Sequence, residues 1–223
     1  RMTTILGINA YHGDSSACLV RGGILIAAAE EERFRRIKHW AGFPSKAAEY
    51  CLQEAGIQLT DLDHVAINQD SKANLWKKIS YTLLNRPDIR MVMDRAKHKR
   101  KRSNVQEELS TSLNMHYGGK VHEVEHHYAH LSSAFHVSPF EEAVLVSVDG
   151  FGDFSSAAWG KGHGSEISID DRVYFPHSLG IFFQALTQWL GFQNYGDEYK
   201  VMGLAPYGKP EYLNKMRDIV LLQ

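Results

Sequence analysis

The chain has 223 residues, 43% of them hydrophobic and 23% charged, with a formal net charge of -1. That is enough chain for a sizeable core in two lobes, and near-neutrality excludes a general electrostatic pull toward nucleic acid or an anionic membrane. Two cysteines, Cys18 and Cys51, exclude a disulfide framework and fit a reducing cytoplasm, and no apolar run is long enough to span a bilayer.

TTILGIN, ending at Asn9, has the content of a buried strand. A polar turn, AYHGDSS, leads to two apolar runs joined by Arg21-Gly22-Gly23, which predicts a tight β-hairpin. Pro44 to Gly56 has helical spacing with a glycine stop, Asp63 to Asn68 reads as a short strand, and residues 73–85 read as helical. The stretch 86–103 is the most polar of the chain and is expected to be an exposed insertion or helical connection. Ser103 to His116 predicts a capped helix, followed by Gly118-Gly119. KVHEVEHH reads as a strand that runs into a histidine-bearing helix extending to about Val137.

The pattern then restarts. Ala143 to Asp149 predicts a second buried strand, followed by GFGDFSS, AAWGKG and EISIDDRVYF. The starts ILGIN-AYHGDSSA and VLVSVD-GFGDFSSA place Asn9 against Asp149 and Ser15-Ser16-Ala17 against Ser155-Ser156-Ala157, at a constant offset of 140 residues. A long-period repeat of strand, polar turn, strand, tight turn and strand outranks local signals in choosing a fold. Helices are expected at Ser178–Leu190, Asp197–Ala205 and Glu211–Leu222. The resulting domain reading is 1–138 for the first lobe and 139–223 for the start of a second.

Four residues apart on one helix, His126 and His130 project from the same face, and two neutral imidazoles can share a divalent metal with a third ligand from elsewhere. His127, adjacent to His126, points away from that face. The glycine-bearing turns after each first strand suit phosphate binding, which nominates Gly13, Ser15, Asp149 and Gly150 as nucleotide- or substrate-binding residues. His12 in the first turn and Lys38 in EEERFRRIKH are candidate catalytic groups, able to meet developing negative charge on a phosphate or carbonyl oxygen. The run RAKHKRKR, Arg95 to Arg102, lacks interleaved aromatics, so a solvated surface is expected there rather than an RNA contact.

Five segments, NAYHGDSSACLV, AAAEEERFRRIKH, HHYAHLSSAF, SVDGFGD and GDEYKVMGLAPYGKP, together resemble the N-terminal part of the O-carbamoyltransferase family, of the NodU, cephem and tobramycin carbamoyltransferase type. The resemblance implies an α/β fold of the actin-like ATPase class, with ribonuclease-H-like lobes, the first complete and the second truncated. It implies transfer of a carbamoyl group from carbamoyl-adenylate, made from ATP and carbamoyl phosphate, to a hydroxyl of a small-molecule acceptor. It also implies an iron- or zinc-class metal on His126 and His130, with a third ligand, an aspartate, expected beyond this chain together with an adenylate-forming domain. By position, His12 and Lys38 resemble contacts to carbamoyl-adenylate, and Asp149 a residue near the acceptor. A second copy covering apolar surface left by the incomplete lobe is an expected partner; a membrane is not, and nucleic acid is disfavoured. The rival readings are a tRNA threonylcarbamoyl transferase-like enzyme and a non-catalytic actin-fold binding module.

Overall fold

The structure is a computed structural model and describes residues 2–85 and 104–221. The polar stretch 86–103, with its basic run Arg95–Arg102, lies outside the described residues. Two compact units divide the chain, one reaching Leu179 and the other starting at Gly180.

The first unit contains two sheets. β1 (Thr4–Asn9), β2 (Ser16–Arg21) and β3 (Ile24–Glu30) form an antiparallel meander, and β4 (His64–Ile67) and β5 (Lys120–Glu123) add parallel strands, giving the order β3-β2-β1-β4-β5. This is the ribonuclease-H-like arrangement. Gly22 and Gly23, at φ 58° and 84°, supply the two left-handed residues that a two-residue hairpin turn requires. Alternate residues of β1, among them Leu6 and Ile8, face a core completed by Ala47, Ala48, Cys51 and Leu52 of a helix at Ser45–Glu54 and by Val105 and Leu109 of a helix at Val105–Ser112. Asn104, not Ser103, caps that last helix, accepting from the Glu107 N–H. Leu75–Asn85 is helical, as the spacing predicts.

The helix Ser45–Glu54 follows Pro44, which offers no capping side chain. Its first amides are met from outside: the fully buried Glu31, one residue past β3, accepts from the N–H groups of Ala47 at 2.8 Å and Lys46 at 3.3 Å. Arg35 pairs with the same carboxylate at 2.7 Å and also donates to the Ser45 hydroxyl.

The second sheet repeats the first meander. β6 (Glu142–Gly152), β7 (Ser155–His163) and β8 (Glu166–Tyr174) are antiparallel neighbours in that order. Ile8 pairs with Ala17 and Leu6 with Leu19, while Val148 pairs with Ala157 and Val146 with Trp159. Every member of these pairs is displaced by the same 140 positions seen in the sequence. The irregularity in the second pairing recurs as well, between Leu19 and Val20 in one copy and between Trp159 and Gly160 in the other. Leu131 and Phe135 of the histidine helix pack against Leu145 of β6, with Ile167 and Ile169 of β8 beside them.

Gly160 shows how tightly β7 and β8 approach. A Cβ there would lie 1.9 Å from the Ser168 carbonyl oxygen and 2.8 Å from the Ile169 Cα, both backbone atoms that yield only if the strands part. Gly160→Ala is expected to cost about 2 kcal/mol of stability, read from the denaturant midpoint; an unchanged midpoint would show that the sheet relaxes freely.

The second unit carries helices at Leu179–Trp189, Glu198–Leu204 and Leu213–Arg217, the last shorter than the predicted Glu211–Leu222. The segment GDEYKVMGLAPYG forms the middle helix and a following 3-10 turn, with Asp197 and Lys200 paired at 2.6 Å. No helix among the described residues is long and apolar enough to cross a membrane.

Candidate metal centre

The histidine helix runs from His126 to Phe135, and two carboxylates define its start. Glu125, in a non-helical conformation, caps it by accepting from the N–H groups of His127 and Tyr128. Asp153, in the turn after β6, accepts the His126 N–H at 2.9 Å. Together they satisfy the donors that a helix start leaves free and fix where the first turn begins.

From that start, the helical spacing sets His126 and His130 edge to face, with their Nε2 atoms 3.0 Å apart. The repeat brings a third group to them. Asp149 of β6 places Oδ2 2.7 Å from His126 Nε2 and 3.4 Å from His130 Nε2. Its other oxygen accepts the Gly150 N–H at 2.6 Å, and the Ser178 hydroxyl donates to the carbonyls of Asp149 and Gly150. Asp149, expected near the acceptor, thus stands at the two imidazoles and is a candidate third donor beside them.

The donor set suits a metal of the iron or zinc class. Bonds of about 2.1 Å in tetrahedral geometry separate ligand atoms by roughly 3.4 Å, and the three atoms here lie within 4.8 Å of one another. The electrostatics agree. Burial pulls the His126 pKa down, but the hydrogen bond to Asp149 and the nearby carboxylates of Asp149, Asp153 and Glu125 outweigh it and hold the net shift upward. Asp149 is held well below the usual carboxylate range by its hydrogen bonds to His126 and His130. The same carboxylates that favour positive charge on the imidazole also favour a cation beside it, which would have to displace that proton. His127 takes no part. It is fully buried, its Nδ1 lies 2.9 Å from the Ser147 hydroxyl, and burial pushes its pKa down.

The other predicted residues divide by position. The His12 ring lies edge-on to His126, 5.9 Å between centroids, with its Nε2 3.4 Å from the Gln69 amide nitrogen. Gly13 follows it in a turn in which Tyr11 and Asp14 both have positive φ. Ser15 is buried, and its hydroxyl donates to the Gly42 carbonyl at 2.7 Å, so it secures the turn instead of lining the cleft. Lys38 is exposed, and among the described residues it makes no hydrogen bond or ion pair. Its neighbour His39 binds Asp14 at 2.8 Å through Nδ1 and Glu32 through its backbone N–H, tying that loop to the first turn. The centre opens on a groove of about 1440 Å³ lined by small residues of the first sheet, Gly7, Ala28 and Ala66, and by Tyr128 and Ser132 of the histidine helix. Sequence reasoning missed Glu125, Asp153 and Gln69. Glu125 was legible as an acidic residue ahead of an apolar helical run; Asp153 and Gln69 carry no local signal.

Gly152 is a steric requirement of the centre. A Cβ at that position would fall 2.0 Å from Cγ and Cδ2 of the His126 ring. Gly152→Ala is expected to displace the imidazole and weaken zinc binding at least about tenfold, checked by calorimetric titration; wild-type affinity would show that the ring has another seat.

The strand order and the duplicated meander define an α/β protein of the actin-like class, with a two-histidine, one-aspartate cluster where its two sheets meet the histidine helix. A family model described as the carbamoyltransferase N-terminus matches residues 4–221, and the chain belongs to that family. It is 36% identical to the uncharacterized protein sll1178 of Synechocystis, over 99% of this chain and 37% of that protein. It is also 36% identical to the nodulation protein NolNO of Sinorhizobium fredii, over 91% of this chain and 29% of that protein. The chain thus spans about a third of the length of these relatives. Among solved structures it is similar to a ROK hexokinase from Thermus thermophilus, with TM-score 0.48 and 12% identity over 95% of this chain and 72% of that one. It is likewise similar to YeaZ from Pseudomonas aeruginosa, with TM-score 0.43 and 15% identity over 78% of this chain and 68% of that one.

Proposed function

We propose that this chain is the acceptor-transfer part of an O-carbamoyltransferase, passing a carbamoyl group from carbamoyl-adenylate to a hydroxyl of a small molecule. The observation that carries the reading is the convergence of His126, His130 and Asp149 within one family match. His126, His130 and Asp149 would hold the metal, which when bound supplies positive charge toward the nucleotide phosphate. His12, edge-on to His126, takes the proton of the acceptor hydroxyl as its oxygen bonds to the carbamoyl carbon. The bond from that carbon to the adenylate oxygen breaks, and AMP leaves. Gly13, in the turn after β1, and Gly150, within the last residues of β6, present backbone without side chains where the nucleotide is expected to pass. The adenylate itself would be made from ATP and carbamoyl phosphate by a further domain of the longer protein.

The test is an assay of the full-length protein with ATP, carbamoyl phosphate and a panel of hydroxyl acceptors, paired with elemental analysis. Carbamoylated acceptor and stoichiometric iron or zinc are expected. Modification of tRNA adenosine in place of any small acceptor would favour the threonylcarbamoyl alternative, and absence of nucleotide binding would favour a binding module.

A further inference from the structure

We infer that Asp153 is a positioning residue that locks the metal-binding face of the histidine helix to the His12 side of the cleft. The inference rests on the metal reading above. One carboxylate oxygen, Oδ2, accepts from two directions, from His126 N–H at 2.9 Å and from Asp70 N–H at 2.8 Å. The Asp153 carbonyl accepts from the Asn74 amide at 2.8 Å, so both ends of the segment 70–74 are tied to this one residue. Gln69, directly before Asp70, has its amide nitrogen 3.4 Å from His12 Nε2 and bonded to the Ala10 carbonyl. A continuous path therefore leads from the ligand His126 through Asp153, Asp70 and Gln69 to His12, the proposed proton acceptor.

The backbone at Asp153 is built for aim. Asp153 and Phe154 form the turn between β6 and β7 with φ 48° and 74°, a left-handed pair in which the bulky phenylalanine is an uncommon occupant. Such a conformation persists where surrounding structure over-determines it. Here the Phe154 ring packs against Tyr81 at 5.8 Å and Phe175 at 5.6 Å, and the Phe154 carbonyl accepts the Phe175 N–H. The strained turn is thereby clamped, and its carboxylate is directed at the helix start. Asp153 lies outside the cluster of ligand atoms formed by His126, His130 and Asp149. It acts through the main chain of a ligand, as outer-shell groups orient metal-binding imidazoles elsewhere.

Cobalt(II) titration of the intact protein, followed by its visible absorption, tests this with Asp153→Ala and Asp153→Asn. The alanine variant is expected to lose about tenfold or more in cobalt affinity with an altered spectrum. The asparagine variant keeps a carbonyl oxygen able to accept both N–H groups and is expected to stay near wild type. An alanine variant that melts earlier but binds cobalt with wild-type affinity and spectrum overturns the inference, since its role would be structural alone. Asparagine as damaging as alanine also overturns it, because charge and not aim would then matter. A wild-type protein that takes no cobalt removes the metal reading and this inference together, an outcome visible before any variant is made.

Discussion

In the full-length protein, replacing His130 by alanine is expected to lower the proposed carbamoyl transfer at least about 100-fold and to remove most of the proposed metal, with folding stability unchanged. The imidazole is half-exposed, with 48% of the side chain accessible, so its loss opens no core cavity. Its Nε2 nevertheless stands 3.0 Å from that of His126 and 3.4 Å from the Asp149 carboxylate, and no other described side chain completes the cluster. Asp149→Ala should match the loss of activity. Asp149→Asn should recover little, because a neutral amide keeps the shape but forfeits the charge. Transfer rates measured beside metal content decide the point, and a His130→Ala enzyme with full metal and full rate would refute the centre.

The second large effect concerns folding. Glu31→Ala is expected to destabilise the protein by about 3 kcal/mol, because a fully buried carboxylate that accepts two helix amides and pairs with Arg35 is lost. Arg35 would lose its carboxylate, and the amides of Lys46 and Ala47 would lose the one side chain that, among the described residues, accepts from them. Glu31→Gln, which keeps an acceptor oxygen, should cost clearly less. Denaturant unfolding measures both, and a cost for the alanine variant below about 0.5 kcal/mol, the scale of an ordinary surface substitution, would show that Glu31 is dispensable.

Much of the fold was legible because its signals are local. Gly22-Gly23 marks a turn that few other residues allow, short apolar runs mark β1 and β6, and the repeat offset carries over into strand register without change. The His126/His130 pair was legible for the same reason, since its geometry is set by one helix. Asp149 was visible as a strand-end carboxylate, but its distance to the imidazoles depends on how the histidine helix packs on the second sheet, which spacing does not encode. Ser15 shows what a turn motif leaves open. A hydroxyl in a polar turn reads as ligand-facing, whereas here it turns inward to the Gly42 carbonyl. Asp153 and Gln69 act across 27 and 57 residues of chain respectively, and contacts of that range leave no trace in a single sequence.

The matched register of the two meanders gives Asn9 and Asp149 equivalent stations, and these side chains differ by a single heteroatom. Asn9 uses both ends of its amide at once, donating to the Asp14 carbonyl and accepting from Asn68, so it closes a neutral bridge inside its own sheet. Asp149 cannot donate, and its surplus electron density turns outward to the histidines. At this station the two meanders differ by one atom: nitrogen on one side makes a fastener, oxygen on the other faces the histidine pair. A duplicated part acquired two trades without altering its frame.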